Sequence, residues 1–318
     1  MQKQLLAITL ALTAGIAGAQ DYYPAKAVRI VAPFPPGGSV DTVGRLIAAR
    51  LSDSYAQQFV VDNRPGASGN IGMELAANAP ADGYTLVVNT VPLVTNQFLY
   101  KKVPYDALRD FAPISLLTGT ASVMLAHPAL PAKNIRELIA LARARGDALT
   151  YGSAGPGTNP HISGELFNYL ARTNMKVVHF KGGGPALIST VSGEIGMGFP
   201  AMPDALTYIR SGRLRALGVT SVRRVPQLPD TPAIAEALPG YEFTTWQGIL
   251  APRNTPRAVI DSLNARIKKS LAMPEHAKRL NDMGLDIIAS TPEEFAAHLK
   301  KEVEQWGKVF KERGMKAE

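Results

Sequence analysis

Cysteine is absent from the 318-residue chain. That absence excludes disulfide staples, thiolate metal sites and a lipid attached through cysteine behind an export signal. Histidine is scarce: His127, His161, His179, His276 and His298 stand apart, and no two fall three or four residues from one another. The helical pairing that metal sites favour is therefore missing, and neither a metal nor any other cofactor is expected. Beyond the first twenty residues there is no apolar run long enough to cross a membrane. Basic residues are scattered, without a helix-turn-helix, zinc-finger or RNA-binding signature, so nucleic acid is not expected as a partner.

What is present begins with Lys3 and the uncharged run LLAITLALTAGIAGA, which closes on Ala17-Gly18-Ala19. Small residues in that pattern suit signal peptidase, and the run is short for a bilayer span. Residues 1–19 read as a signal peptide, with cleavage before Gln20. An exported chain without disulfides is expected in a bacterial periplasm, as a monomer. The 34 Lys plus Arg against 26 Asp plus Glu give a net charge of +8. Such a balance favours acidic ligands or anionic surfaces and says little about fold.

Strand-like runs alternate with helix-period segments. AVRIVAPF precedes VDTVGRLIAARL, FVVDN precedes NIGMELAANA, LTYGS precedes HISGELFNYLA, and KVVHF precedes PALISTV. This alternation predicts an α/β fold of mainly parallel sheets with crossover helices. Two extended apolar runs, ASVMLAHP near residue 125 and TTWQGILAP near 248, interrupt it. If the chain leaves one lobe through the first and returns through the second, lobe one comprises 20–121 plus 246–318 and lobe two is an insertion over 122–245. Near the C-terminus Phe295, Leu299, Val303, Trp306 and Phe310 recur every three or four residues, the spacing of a helix face packed on a core.

Glycine-rich loops carry the functional signal. In APFPPGGSVDTVGRL a strand end meets a Pro/Gly turn, Ser39 is a candidate N-cap, and Asp41 falls in the first helical turn. Gly37 and Gly38 can take positive φ and expose consecutive backbone N–H groups, while the following helix adds unpaired donors and a positive dipole end. TYGSAGPGTNPHISGEL repeats this logic, with Thr158 or Asn159 as cap and Pro160 in the first turn. FKGGGPAL is a third such loop. Loops that follow strands in two lobes can face one another across a cleft, and an acid with two separated carboxylates would touch both.

Other chemistries fit less well. A Walker loop needs Lys-Ser/Thr after its last glycine, which GSAGPGTNPH lacks. A hydrolase elbow needs G-x-S-x-G, whereas no glycine stands two residues before Ser153. A periplasmic hydrolase using Ser153 and His161 is the enzymatic alternative, and a carboxylate sensor without transport is a third reading.

The segments PFPPGGSVDTVGRL, DNRPGASGNIG, ADGYTLVVNT, LTYGSAGPGTNPHISGELF, HFKGGGPAL, SGRLRALGVTS and LPDTPAIAEALPGYEFTTWQGILAPRNTP resemble, in this order, the tripartite tricarboxylate transporter receptors, or Bug-type solute-binding proteins. The resemblance implies a non-enzymatic, two-lobed periplasmic receptor of the type II binding-protein fold that serves an inner-membrane permease. It implies that two loops, Phe34 to Asp41 and Ser153 to His161, hold a ligand carboxylate through backbone N–H groups and ordered water. The candidate ligand-binding residues are then Phe34, Pro36, Gly37, Gly38, Ser39 and Asp41; Thr90 at the end of ADGYTLVVNT; Ser153, Ala154, Gly155, Thr158, Asn159 and His161; and Lys181 and Gly182. Ser189 and Gly196 stand where acidic residues are frequent in that family. The expected ligand is a small di- or aromatic carboxylate.

Overall fold

The run VRIVA forms β1 (Val28–Ala32), almost wholly buried, as befits a central strand covered on both faces. The computed structural model describes residues 23–313, so the expected cleavage site before Gln20 lies outside the described residues. β1 pairs in parallel with β2 (Phe59–Asn63) and β3 (Thr85–Asn89), placing Ile30 between Val61 and Leu86. The crossovers are α1 (Ser39–Tyr55) and α2 (Asn70–Ala77). Helix α1 buries Val40, Val43, Ile47 and Leu51, the stripe its three-and-four spacing predicts. After α3 (Pro92–Leu99), the long strand β4 (Phe111–Ala121) runs straight on past Ser122 into β5 (Val123–Ala126), which belongs to a second sheet.

That second sheet is built from β6 (Thr150–Ser153), β7 (Lys176–His179), β8 (Met197–Gly198) and β9 (Arg215–Val219) around β5, in the order β7-β6-β8-β5-β9. Its helices are α4 (Ile135–Arg145), α5 (Asn159–Ala171), α6 (Gly183–Ser192) and α7 (Met202–Arg210). The chain then returns through β10 (Thr244–Pro252) into the first sheet, whose order is β11-β4-β10-β3-β1-β2, with β11 (Asp286–Ile287) at one edge. Helices α8 (Arg257–Leu271), α9 (Pro274–Asp282) and α10 (Pro292–Arg313) complete that side. The outgoing and returning segments lie together: Thr244 is opposite Ala121, while Thr220 receives the Ser122 N–H on its hydroxyl at 2.8 Å and the Phe243 N–H on its carbonyl at 2.9 Å.

Both sheets are mixed, where the alternation of elements predicts mainly parallel ones. The parallel parts are β2-β1-β3 and β7-β6-β8, each joined by crossover helices. β10 runs antiparallel to both β3 and β4, and β5 antiparallel to both β8 and β9. These strands carry the chain between sheets, so no crossover helix sets their direction. Phe295, Leu299, Trp306 and Phe310 of α10 are core residues, with Val303 partly buried beside them. Gly248 of β10 makes room for this helix, since a Cβ there would lie 2.2 Å from Phe295 Cζ.

Candidate functional site

The loop between β1 and α1 follows an interior strand of the first sheet and borders a cleft shared with the second. Gly37 adopts φ +88°, whereas Gly38 is extended at φ −81° and ψ 172° and is itself the N-cap. Ser39, the expected cap, is the first helical residue, and no side chain caps this terminus. The reason lies in Asp41. Its buried carboxylate reaches back to accept the Gly37 N–H at 2.9 Å, and also receives Asn63 Nδ2 at 2.9 Å and Arg45 Nε at 3.0 Å. Burial pushes the Asp41 carboxyl up, but these donors and the Arg45 charge prevail and hold it below its usual value. Thus Asp41 shapes the loop from behind, and the N–H groups of the first α1 turn have no helical acceptor.

The β6–α5 loop is braced more heavily. Ser153 Oγ, fully buried, donates to the Gly155 carbonyl at 2.9 Å, and Thr158 Oγ1 donates to the same carbonyl at 2.6 Å. His161 Nδ1 accepts the Gly157 N–H at 3.0 Å, and its ring meets His179 edge-on at 4.9 Å between centroids. Burial, reinforced by His179 against a smaller opposing effect of Glu165, lowers the His161 pKa to about 4, so the imidazole is neutral. Thr158 is the N-cap of α5 without a side-chain cap bond, its hydroxyl being spent on the loop. Gly155 sits at φ +127°, and a Cβ there would lie 2.9 Å from Ser68 Oγ. Ser68 comes from the first-sheet side, as does Thr95, whose Oγ1 donates to the Gly157 carbonyl at 2.8 Å.

Between these loops lies a cleft of about 420 Å³. Phe34, Pro36, Gly37, Gly38, Ser39, Thr90, Ala154, Thr158, Asn159 and Gly182 all line it. Asp41, Ser153, Gly155 and His161 stand behind the lining, engaged in the loop bonds above, and Lys181 is exposed outside it. At the floor, Thr90 Oγ1 is 3.0 Å from Thr245 Oγ1, and Asn159 Nδ2 donates to that same hydroxyl oxygen. One polar chain thus joins β3, the returning strand β10 and the start of α5.

Five helix N-termini border the cleft: those of α1, α3, α5, α6 and α7. The starts of α1, α5 and α6 offer N–H groups without a helical acceptor, whereas those of α3 and α7 spend theirs locally, Leu93 N–H on the Thr90 carbonyl and Asp204 N–H on the Ala201 carbonyl, and bring chiefly the positive end of the dipole. The lining contains no Lys, Arg or His, so the positive potential comes from peptide groups. Sequence reasoning placed the α6 terminus in the site but overlooked the fourth loop, GFPAMPD, which repeats the pattern of strand end, proline and helix. It brings Phe199, Pro200, Asp204 and Tyr208 to the lining. Burial alone raises the Asp204 carboxyl to about 6. No hydrogen bond joins Ser153 to His161 among the described residues, each being committed elsewhere in the loop. The pairing a serine hydrolase requires is not formed.

The profile of the "Tripartite tricarboxylate transporter family receptor" matches residues 43–315. A UPF0065 protein in the tcbD-tcbE intergenic region of Pseudomonas sp. (strain P51) is 40% identical over 317 residues, spanning 98% of this chain and 94% of the relative. Among solved structures, R. palustris Rpa4515 with adipate is 35% identical with a TM-score of 0.90, covering 93% of this chain and 100% of that one. MatC (Rpa3494) from Rhodopseudomonas palustris with bound malate is 32% identical with a TM-score of 0.86, covering 90% and 99%. With two mixed sheets, two connecting passages and a cleft between them, this chain belongs to the tripartite tricarboxylate transporter receptors and has their two-lobed, periplasmic-binding-protein-like fold.

Proposed function

We propose that this protein captures a small organic acid, a dicarboxylate or an aromatic carboxylate, in its interlobe cleft and presents it unchanged to an inner-membrane permease from the periplasm. The observation that carries this reading is the convergence of five helix N-termini on a cleft whose lining, among the described residues, has no cationic side chain. Backbone N–H groups suit a carboxylate and offer nothing to an ammonium group. Adipate with Rpa4515 and malate with MatC support the same ligand class. Within this reading, lobe one is 20–121 plus 246–318 and lobe two is 122–245. The passage at Ser122 and the return at Thr244 support these boundaries. The ligand-holding groups are the loop residues named above, with Asp41, Ser153, Gly155 and His161 fixing the shape of the loops.

A carboxylate held by N–H groups from both lobes binds tightly only when the lobes are closed around it, so binding draws the population toward the closed form. Thermal melting against adipate, malate and benzoate tests the ligand class. A ligand at a hundred times its dissociation constant adds about 2.7 kcal/mol. Small-angle scattering with the best of the three then tests closure, with a smaller radius of gyration expected. Stabilisation by none of them, or turnover of any, overturns the proposal.

A further inference from the structure

Asp204 contributes the one ionisable carboxyl of the cleft lining. No hydrogen bond or ion pair engages its side chain among the described residues, in contrast to Asp41, which has three donors. The residue is half-buried, with its remaining surface on the cleft. An unpaired carboxylate that has lost part of its hydration is disfavoured, and the usual remedy is a proton. The cleft lining it shares also includes Ala186, Leu187, Phe199 and Tyr208, which supply apolar surface and one hydroxyl.

The neighbouring titratable groups do not relieve it. On α7, Tyr208 lines the cleft and is stacked by Arg213, whose guanidinium carbon lies 5.4 Å from the ring centre, and Arg210 is exposed. Lys181 precedes the α6 loop and is exposed, His161 is held neutral in its own loop, and Asp41 is paired behind the α1 loop. The turn at Gly284, which packs on Met202 at the head of α7, carries Asp282 and Asp286, both exposed. No nearby charge contributes to the rise at Asp204, which has burial as its cause.

We propose that Asp204 is a specificity-determining residue that binds as the neutral acid, donating its Oδ–H to a second carboxylate of the ligand. The inference rests on the carboxylate-receptor reading and extends it to a dicarboxylate whose capture takes up one proton from solvent. The helix N-termini hold one carboxylate as an anion, and Asp204 holds the other through a shared proton, an O–H···O⁻ bond of the strong, charge-assisted kind. Two ionised carboxylates cannot approach one another in an enclosed site, so the proton is obligatory.

The sign follows from linkage. In the free protein Asp204 titrates at about 6, and the bound dicarboxylate raises that value further. Affinity is therefore greatest below pH 6 and falls as pH rises through the window between the free and bound values. Adipate and hexanoate are the probes, since their carboxyls, Glu-like in pKa, are ionised across the range pH 6.5 to 8.5. Calorimetry on the full mature protein should show adipate affinity falling roughly seventy-fold over that range, with about one proton taken up when buffers of different ionisation enthalpy are compared at pH 8. Hexanoate should bind with neither effect. Asp204→Asn keeps a donor but has no proton to gain, so its adipate affinity should vary less than about threefold, without proton uptake. Its melting temperature reports whether it folds. Asp204→Ser is the second variant should the first fail to fold. Adipate binding that is independent of pH, tightens with pH, or keeps its proton uptake in a folded Asp204 variant overturns this inference and leaves the receptor reading intact. Binding of neither probe, nor of malate or benzoate, overturns both.

Discussion

The two loops that face each other across the cleft share a grammar of strand, glycines and helix, yet they are built differently. Around Gly37 and Gly38 no atom lies within 4 Å of where a Cβ would stand, and one carboxylate, Asp41, shapes the turn from behind. Around Gly155 and Gly157 the space is filled: Ser153, Thr158 and His161 brace the backbone from within, and Ser68 and Thr95 press from the other lobe. In the proposed receptor the first loop is an open surface turned to the ligand, and the second is a packed joint that also faces it. A substitution in the first is therefore read by the ligand, and one in the second by the whole fold.

This contrast is broken or sharpened most severely at Gly155. Valine there must hold a β-branched side chain at φ +127° against Ser68 Oγ. The expected cost is about 3 kcal/mol or more. Melting temperature should fall by at least about 5 °C and adipate binding should be lost. A Gly155→Val protein that melts like the parent would show that the loop is not the joint described. Gly38→Val should do the reverse. Its backbone is in a region any residue adopts and its Cβ meets open space, so the melting temperature should stay within about 2 °C. The side chain would instead obstruct approach to the α1 N–H groups. Blocking one charge-assisted hydrogen bond reduces affinity on the order of tenfold or more, which calorimetry reads directly. Equal loss of stability in the two valine variants would erase the distinction between the loops.

Ser153→Ala should have the smallest effect. The Gly155 carbonyl keeps its bond from Thr158 at 2.6 Å, so the losses are the Gly155 N–H contact at 3.2 Å and the Thr158 Oγ1 contact at 3.3 Å. About 1 kcal/mol of stability and less than threefold in affinity are expected, by denaturant melts and calorimetry. A loss of binding larger than in both glycine variants would restore the serine-centred chemistry.

Much of this architecture was legible in the residues. The alternation of strand and helix periods, the stripe of α10 and the glycine loops are local patterns, set within a few residues by backbone conformation and burial. What escaped is mostly long-range. The Thr90–Thr245–Asn159 chain joins residues 155 and 86 positions apart, and no local rule brings them together. The antiparallel course of β10 depends on which sheet the chain re-enters, which periodicity does not record. Ser39 looked like the cap because hydroxyl residues favour that place. Asp41 took over the loop's free N–H instead, a choice decided by Asn63 and Arg45. Asp204 carries no local signal that separates it from other acidic residues in a first helical turn. The role proposed for it follows only when α7 is placed beside the other helix starts around the cleft.

A cleft whose positive potential comes from peptide groups has an unusual relation to mutation. The genetic code specifies side chains, and the N–H donors of a helix start survive almost every codon change short of proline. The anion hold proposed for this cleft is therefore inherited with the fold, beyond the reach of most single substitutions, whereas the walls at Leu187, Phe199, Asp204 and Tyr208 are written residue by residue. Such a receptor can drift from one acid to another by rewriting its walls, without passing through a form that has lost its grip on carboxylates altogether.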